Sequence, residues 1–396
     1  DSLDGLDLTD DDLRQDPRVE ADQIRWRDAR HQMNARRFAL GRVAMRLYEP
    51  LLRLGDTGLV APDAWLPPQP VALAAIALAR HDEVDSPTVS GTEPETAGVR
   101  PLHSVARRYQ RYSHAMRDLD QPTLFANRIG YRLLDIEWDG DRGRLDFGCT
   151  TYFEVIDIYE ALAHETAVAH LKADGGVGGP SWRHLRLRRL IGDPFDLGAR
   201  PVMPSINTLT IHHGAEGSPC MVLHRRDPTR VSVAGGLLHV MPAGMFQPSS
   251  VVPAAEQPDF DLWRNIMREY AEEFLGHEEH GGDGTPIDYE TVEPFPRLQE
   301  AYDDGRIRVH CLGVAVDPLT LAVELLTVAV FDGPVYDEVF ADTVDRNDEG
   351  VVAGTTVPFE EHALRRLLDG SAHGLAPAAA GCIRLAWDHR RVLLSA

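Results

Sequence analysis

Arg268-Glu269-Tyr270-Ala271-Glu272-Glu273 is the stretch on which the reading of this chain turns. Around it Leu262, Ile266, Tyr270 and Phe274 recur every fourth residue, the apolar stripe of a helix. On that helix Glu269, Glu272 and Glu273 stand at i, i+3 and i+4, a spacing that predicts that they project together away from the stripe. Carboxylates so close repel one another unless a cation sits among them, and a hard divalent ion with carboxylate and water ligands suits them. A solvated acidic face is the plain alternative.

Working outward, residues 207–213 and 220–226 read as two strands separated by a Gly/Ser/Pro turn, and 235–246 as a strand running into Pro242-Ala243-Gly244. Residues 307–318 and 321–331 read as a hairpin turning at 317–320. Residues 359–368 are amphipathic and suit a closing helix.

With these neighbours the hexapeptide resembles the signature of the Nudix family of metal-dependent hydrolases, G-x5-E-x7-R-E-u-x-E-E-x-G-u, commonly preceded by a strand ending in Pro-Gly-Gly. Pro242-Ala243-Gly244 sits at that strand end, Arg268-Glu269 on R-E and Glu272-Glu273 on E-E. The resemblance implies that the three glutamates hold divalent ions, Mg²⁺ or Mn²⁺, and that the arginine braces the helix through a carboxylate. It also implies that the acidic run Asn347-Asp348-Glu349-Gly350 supplies a further ligand or a general base, Glu349 or Asp348. The chain departs from the pattern in four places, one being Tyr270 where the signature has an aliphatic residue. Gly244 and Arg268 lie 24 positions apart, about ten more than the signature allows, and the extra residues, 247–259, read as a surface loop with Pro248, Pro253 and Pro258. Phe260 stands where a glutamate is expected, between Asp259 and Asp261, and Gly276 comes one residue late.

Composition narrows the classes independently. The 396 residues suffice for two domains. Of 40 basic residues only Lys172 is a lysine, so a Walker-type phosphate loop and any catalytic lysine elsewhere are excluded. A formal net charge of -22 argues against broad nucleic-acid or anionic-membrane binding. No segment approaches the roughly 18 consecutive apolar residues of a membrane helix, and residues 1–20 are acidic, unlike a signal peptide; a cytoplasmic location is expected. Because the chain begins at Asp1 without methionine, upstream residues are also expected. Cys149, Cys220, Cys311 and Cys382 are scattered and read as reduced core residues.

In the first half, 24–54 reads as one or two amphipathic helices, 81–99 as a mobile loop or linker, and 131–138 with 144–149 as a hairpin. Residues 153–171 form a long helix bearing Glu154, Asp157, Glu160, His164, Glu165 and His170. A metal-binding H-E-x-x-H would need histidine where Val168 stands, so these side chains are read as an exposed face. His277-Glu278-Glu279-His280 is read likewise as a solvated helix end. The basic run 183–189 either neutralises acidic surface of its own chain or receives a phosphate. The surroundings of Tyr152-Phe153 and His164-Glu165 are similar to those in uncharacterised actinobacterial proteins with the same C-terminal plan.

The expectation is an α/β (α+β) protein. A mostly helical region (1–120) and a β-hairpin with a long helix (121–200) precede a Nudix-like α/β/α sandwich with a mixed sheet (203–396). By resemblance the function is Mg²⁺-dependent hydrolysis of a diphosphate linkage in a nucleoside diphosphate-X type small molecule. Glu269, Glu272 and Glu273 are the expected metal ligands, and Glu269, Glu273 and Glu349 the expected catalytic residues. Arg225, Arg226 and Gly244 are the expected substrate contacts, the arginines through bidentate phosphate bonds. The alternatives are a catalytically silent module binding a nucleotide-derived ligand or a protein, and a biosynthetic tailoring enzyme on the same scaffold. The family often forms homodimers.

Overall fold

The computed structural model describes residues 16–122, 125–172, 181–213, 217–226, 237–277, 285–341, 350–368 and 374–395. Pro17 at the first helical position and the Asp16 carboxylate, which accepts from the Arg18 amide at 2.8 Å, start α1 (Pro17–Ala35). Next come α2 (Arg37–Met45), the short strands β1 (Val71–Ala72) and β2 (Ile76–Arg80), a small ribbon of β3 (Leu102–Ser104) and β4 (Arg107–Arg108), and α3 (Tyr112–Leu119). The hairpin expected around 131–149 is β5 (Ile129–Asp139) with β6 (Arg142–Thr151), which β2 joins in parallel. It leads into α4 (Tyr152–Lys172) and then α5 (Arg186–Ile191). Between β2 and β3, Val89, Thr96 and Val99 are buried, and the Glu93 carboxylate accepts from the Ser90 and Gly91 amides at 2.6 and 2.8 Å.

The second half follows the expected order of strands: β7 (Ser205–His213), β8 (Pro219–Arg226), β9 (Leu238–Val240) and β10 (Ala243–Met245). The extra residues after Gly244 contain a helical turn, α6 (Pro253–Glu256), before α7 (Leu262–Glu273). Then come α8 (Phe295–Asp303), the hairpin β11 (Ile307–Val316) and β12 (Val323–Phe331), α9 (Gly333–Val339), β13 (Gly350–Pro358), α10 (Glu361–Leu368), α11 (Pro377–Asp388) and α12 (Arg390–Leu393).

Eight strands form one sheet in the order β1-β11-β12-β7-β8-β13, with β10 on β7 and β9 on β8. The pair β12–β7 is parallel and the others antiparallel, so the sheet is mixed, as expected. Alternation along the strands feeds two cores. Ile206, Val222, Leu325 and Ala329 face α7 and the first half of the chain, whereas Leu209, Ile211, Leu326 and Val328 face α11. The protein is therefore α+β with helices on both faces of a mixed sheet. The helix α11 is not anticipated by the sequence reading. Its buried face includes Ala379, Cys382, Ile383, Leu385 and Ala386, in which small residues outnumber large ones and weaken the apolar stripe.

The two halves share hydrogen bonds. Strand β1 pairs with β11 through Val71 and Cys311, and the Tyr131 and Leu133 amides donate to the Phe246 and Val202 carbonyls. Two guanidiniums with no solvent exposure, Arg188 and Arg200, are sunk against the β11–β12 turn. Arg188 donates to the Pro318 and Leu319 carbonyls at 2.7 and 2.6 Å and to Tyr48 and Thr166 hydroxyls. Arg200 donates at 2.8 Å to the carbonyl of Leu321, a residue with a φ of 60°. Of the basic run 183–189, then, Arg188 binds backbone oxygens of its own chain, while Arg183, Arg186 and Arg189 stay exposed. Arg188→Met should strand those acceptors in the core and lower the urea-unfolding free energy by about 3 kcal/mol or more. Arg186→Met on the same helix should change it by less than about 0.5 kcal/mol; equal effects would contradict this account of the turn.

Candidate functional site

The carboxylate helix forms as its pattern predicts. Asp261 caps it by accepting from the Arg264 amide at 2.9 Å, and Leu262, Ile266, Tyr270 and Phe274 are all buried. Tyr270 also fixes the helix to the sheet. Thr210 donates to the Met241 carbonyl at 2.6 Å, so the Tyr270 hydroxyl is the donor in its 2.7 Å bond to Thr210.

Arg268 points inward. Its guanidinium donates to the Gln247 carbonyl at 2.6 Å, Asn265 Oδ1 at 2.8 Å and the Tyr289 hydroxyl at 3.0 Å, and lies 3.2 Å from Asp259. Asp259 is 1 % exposed and also accepts from Tyr289 at 2.6 Å and from the Ser249 amide and hydroxyl at 2.7 and 2.5 Å. Burial opposes a charge on Arg268, but Tyr289 and Asp259 beside it hold the guanidinium charged, above its ordinary range. Burial, aided by Asp259, pushes the Tyr289 hydroxyl up. The segment 247–259 is thus no plain surface loop. It carries the carboxylate that braces the helix, one residue before the position at which the signature places it. The sequence offered Asp259 as a flanking residue; nothing in it pointed to Tyr289, Asn265 or Ser249.

Of the three helix glutamates, two meet strand β10. Glu273 is 3 % exposed and accepts from the Ala243 amide at 3.0 Å. Glu269 is half-buried, and its carboxylate occupies the space that a Cβ on Gly244 would fill. Glycine at 244 is what lets the carboxylate lie against the backbone. Glu272, also half-buried, follows on the same helix. The glutamates are therefore not one outward-facing set, because Glu273 turns into the interior. Among the described residues no three His, Cys, Asp or Glu side chains come together as a cation cage. Arg225 is exposed at the end of β8, in register with Leu238 of β9 and Val351 of β13. For Arg226 only the backbone is within the described residues, and Asp348, Glu349 and 278–280 lie outside them.

The second sequence candidate is a correction. Glu160, His164 and Glu165 on α4 are 7 %, 2 % and 7 % exposed and Asp157 is buried too, so most of the face read as solvated is interior, while Glu154 is exposed and His170 half-buried. Arg30 donates to Glu160 at 2.8 Å and Arg37 pairs with the same carboxylate; His164 Nδ1 lies 2.8 Å from the Tyr112 hydroxyl. Glu165 accepts from the Leu187 and Arg188 amides at 2.7 and 3.2 Å, tying down α5. These three polar groups each meet a partner from another element, which offsets the cost of burying them. Of the cysteines, Cys311 and Cys382 are buried, Cys220 is half-buried and Cys149 exposed, all of them unbridged.

No family model matches this chain, and no curated protein matches it either. Among solved structures, a NUDIX hydrolase from Alicyclobacillus acidocaldarius is similar over 46% of this chain and 90% of its own, at 18% identity and a TM-score of 0.29. A likeness that low carries no weight here, and the functional reading rests on the side chains just described. No helix among the described residues is long and apolar enough to cross a membrane.

The α4 cluster yields a pH dependence. Burial, with Arg30 adding to it, holds His164 at about 3, below its ordinary 6.5. The unfolded chain therefore takes up this proton first, and stability should be intact above pH 6.5 and fall as pH drops toward 3. The arginines beside Glu160 overcome its burial and hold it at about 2, so its contribution is lost only below its ordinary 4.5. Urea-unfolding free energies measured between those two ordinary values should fall as pH is lowered, by up to about 1.4 kcal/mol per pH unit in the wild type, and this slope should flatten in His164→Gln.

Proposed function

We propose that this chain is a divalent-cation-dependent hydrolase of a diphosphate linkage in a small molecule of the nucleoside diphosphate-X class. One observation carries the reading: a buried, carboxylate-braced arginine holds a helix so that the next residue, Glu269, lies against the glycine of a neighbouring strand, with Glu273 pinned one turn later. Half-buried Glu269 and Glu272 are hard oxygen donors at the site, and Mg²⁺ is commonly held by one or two carboxylates, with water and substrate phosphates completing its shell. Such a donor set fits Mg²⁺ or Mn²⁺ without a three-residue cage. When bound, the ion would neutralise the diphosphate and acidify an attacking water.

The protein's own part is positioning. Glu273 spends one oxygen on the Ala243 amide, which fixes the helix end relative to β10. Arg268, wholly engaged with Asp259, Tyr289, Gln247 and Asn265, acts on the fold of the site and not on a ligand. Arg225, exposed beside β9 and β13, would offer a bidentate donor to a phosphate. Glu349 or Asp348 remains the proposed base.

The engagement of Glu273 favours a second reading, a module of the same shape that binds a nucleotide-derived ligand without turnover. Calorimetric titration of Mn²⁺ and Mg²⁺, followed by a screen of diphosphate compounds for hydrolysis, separates the two. The wild type should bind Mn²⁺ saturably and turn over at least one diphosphate, and Glu269→Gln should lower kcat by about 100-fold or more. Cation binding without turnover would favour the silent module; no cation binding by the folded protein would sink the hydrolase reading. Gly244→Ala keeps every carboxylate but pushes Glu269 off the strand, so it should weaken Mn²⁺ binding by about tenfold while changing stability by less than about 1 kcal/mol.

A further inference from the structure

The segment that enters the carboxylate helix is gripped by the first half of the chain. Arg80 at the end of β2 meets the Glu256 carboxylate at 2.6 Å, and the pair is largely shielded, with side-chain exposures of 26% and 19%. The Tyr131 hydroxyl of β5 donates to the Glu256 carbonyl at 2.7 Å. Three residues on, Asp259 binds Arg268. Between them Phe260 stacks into an aromatic nest, its ring centroid 5.0 Å from Tyr131, 5.6 Å from Phe147 of β6 and 5.9 Å from Phe246. Phe260 directly precedes Asp261, the helix cap. Residues 256–261 are thus held by β2, β5 and β6 on one side and end on the helix that carries Glu269 on the other.

We propose that Arg80 and Tyr131 are positioning residues for the candidate site: by holding Glu256 they fix the entry of α7, and so set where Glu269 lies along β10. The first half of the chain is then part of the site's machinery, not an appended domain. The cation-related part of this inference rests on the reading of Glu269 and Glu272 as cation ligands; the geometric part does not.

The test uses the full chain and two readouts. Hydrogen–deuterium exchange is followed on α7 and, as an internal control, on α11 across the sheet, and Mn²⁺ affinity is titrated in parallel. Tyr131→Phe, Arg80→Glu and Glu256→Arg should each speed exchange of the α7 amides by about threefold to tenfold, with α11 unchanged. They should also weaken Mn²⁺ binding several-fold, and the reciprocal exchange Arg80→Glu/Glu256→Arg should restore both. Equal acceleration of α7 and α11 would mean a merely global role, and unchanged α7 exchange would mean no role; either overturns the proposal, as does a reciprocal exchange that restores nothing. If a charge variant fails to fold, Tyr131→Phe, which removes one oxygen, decides the matter. A wild type that binds no Mn²⁺ would remove the hydrolase reading alone, because the exchange data still decide the positioning.

Discussion

Two arginines without solvent, Arg188 and Arg200, set the terms for the rest of this molecule. A buried guanidinium must find acceptors for its donors, and here the acceptors at the turn are main-chain carbonyls at 318, 319 and 321. Those oxygens belong to the turn that joins β11 to β12, and β12 is the strand that pairs in parallel with β7. Fixing the turn fixes the hairpin, and the hairpin in turn fixes the register of the central sheet. Leu321 has an unusual backbone conformation, and its buried carbonyl accepts from Arg200.

The candidate site repeats the same physics on a smaller scale. Another buried arginine, Arg268, is satisfied by Asp259, Tyr289, Gln247 and Asn265 and holds the helix at one rotation about its axis. Because side chains three and four residues apart share a face, the inward aim of one residue dictates the aim of its neighbours. With Arg268 and Tyr270 both turned inward, Glu269 is left between them at the strand, half-covered.

Much of the architecture was legible because it is written locally. Alternation gave β7, β8, β11 and β12, and the four-residue repeat gave α7 with its buried stripe. The α+β class with a mixed sheet was implied by the family resemblance that these elements and the hexapeptide carry. What escaped was everything decided by a partner far along the chain. Glu160 reads as a surface acid until Arg30, 130 positions away, is brought against it, and His164 depends on Tyr112, 52 positions away. Glu273 reads as an outward carboxylate until the Ala243 amide claims it. Helix α11 was missed for a different reason: alanines and a glycine let it lie close on the sheet but leave no apolar rhythm.

The separation between Arg188 and its acceptors also bears on how the protein is made. The guanidinium leaves the ribosome about 130 residues before the carbonyls that will bind it, and Val71 long before its sheet partner Cys311. Until β11 and β12 have been synthesised, the first half must keep a charged group and an open strand edge in water, and it cannot close its own core around them. Synthesis of the β11–β12 hairpin, and not of the first half alone, is therefore the step that lets the first half close its core.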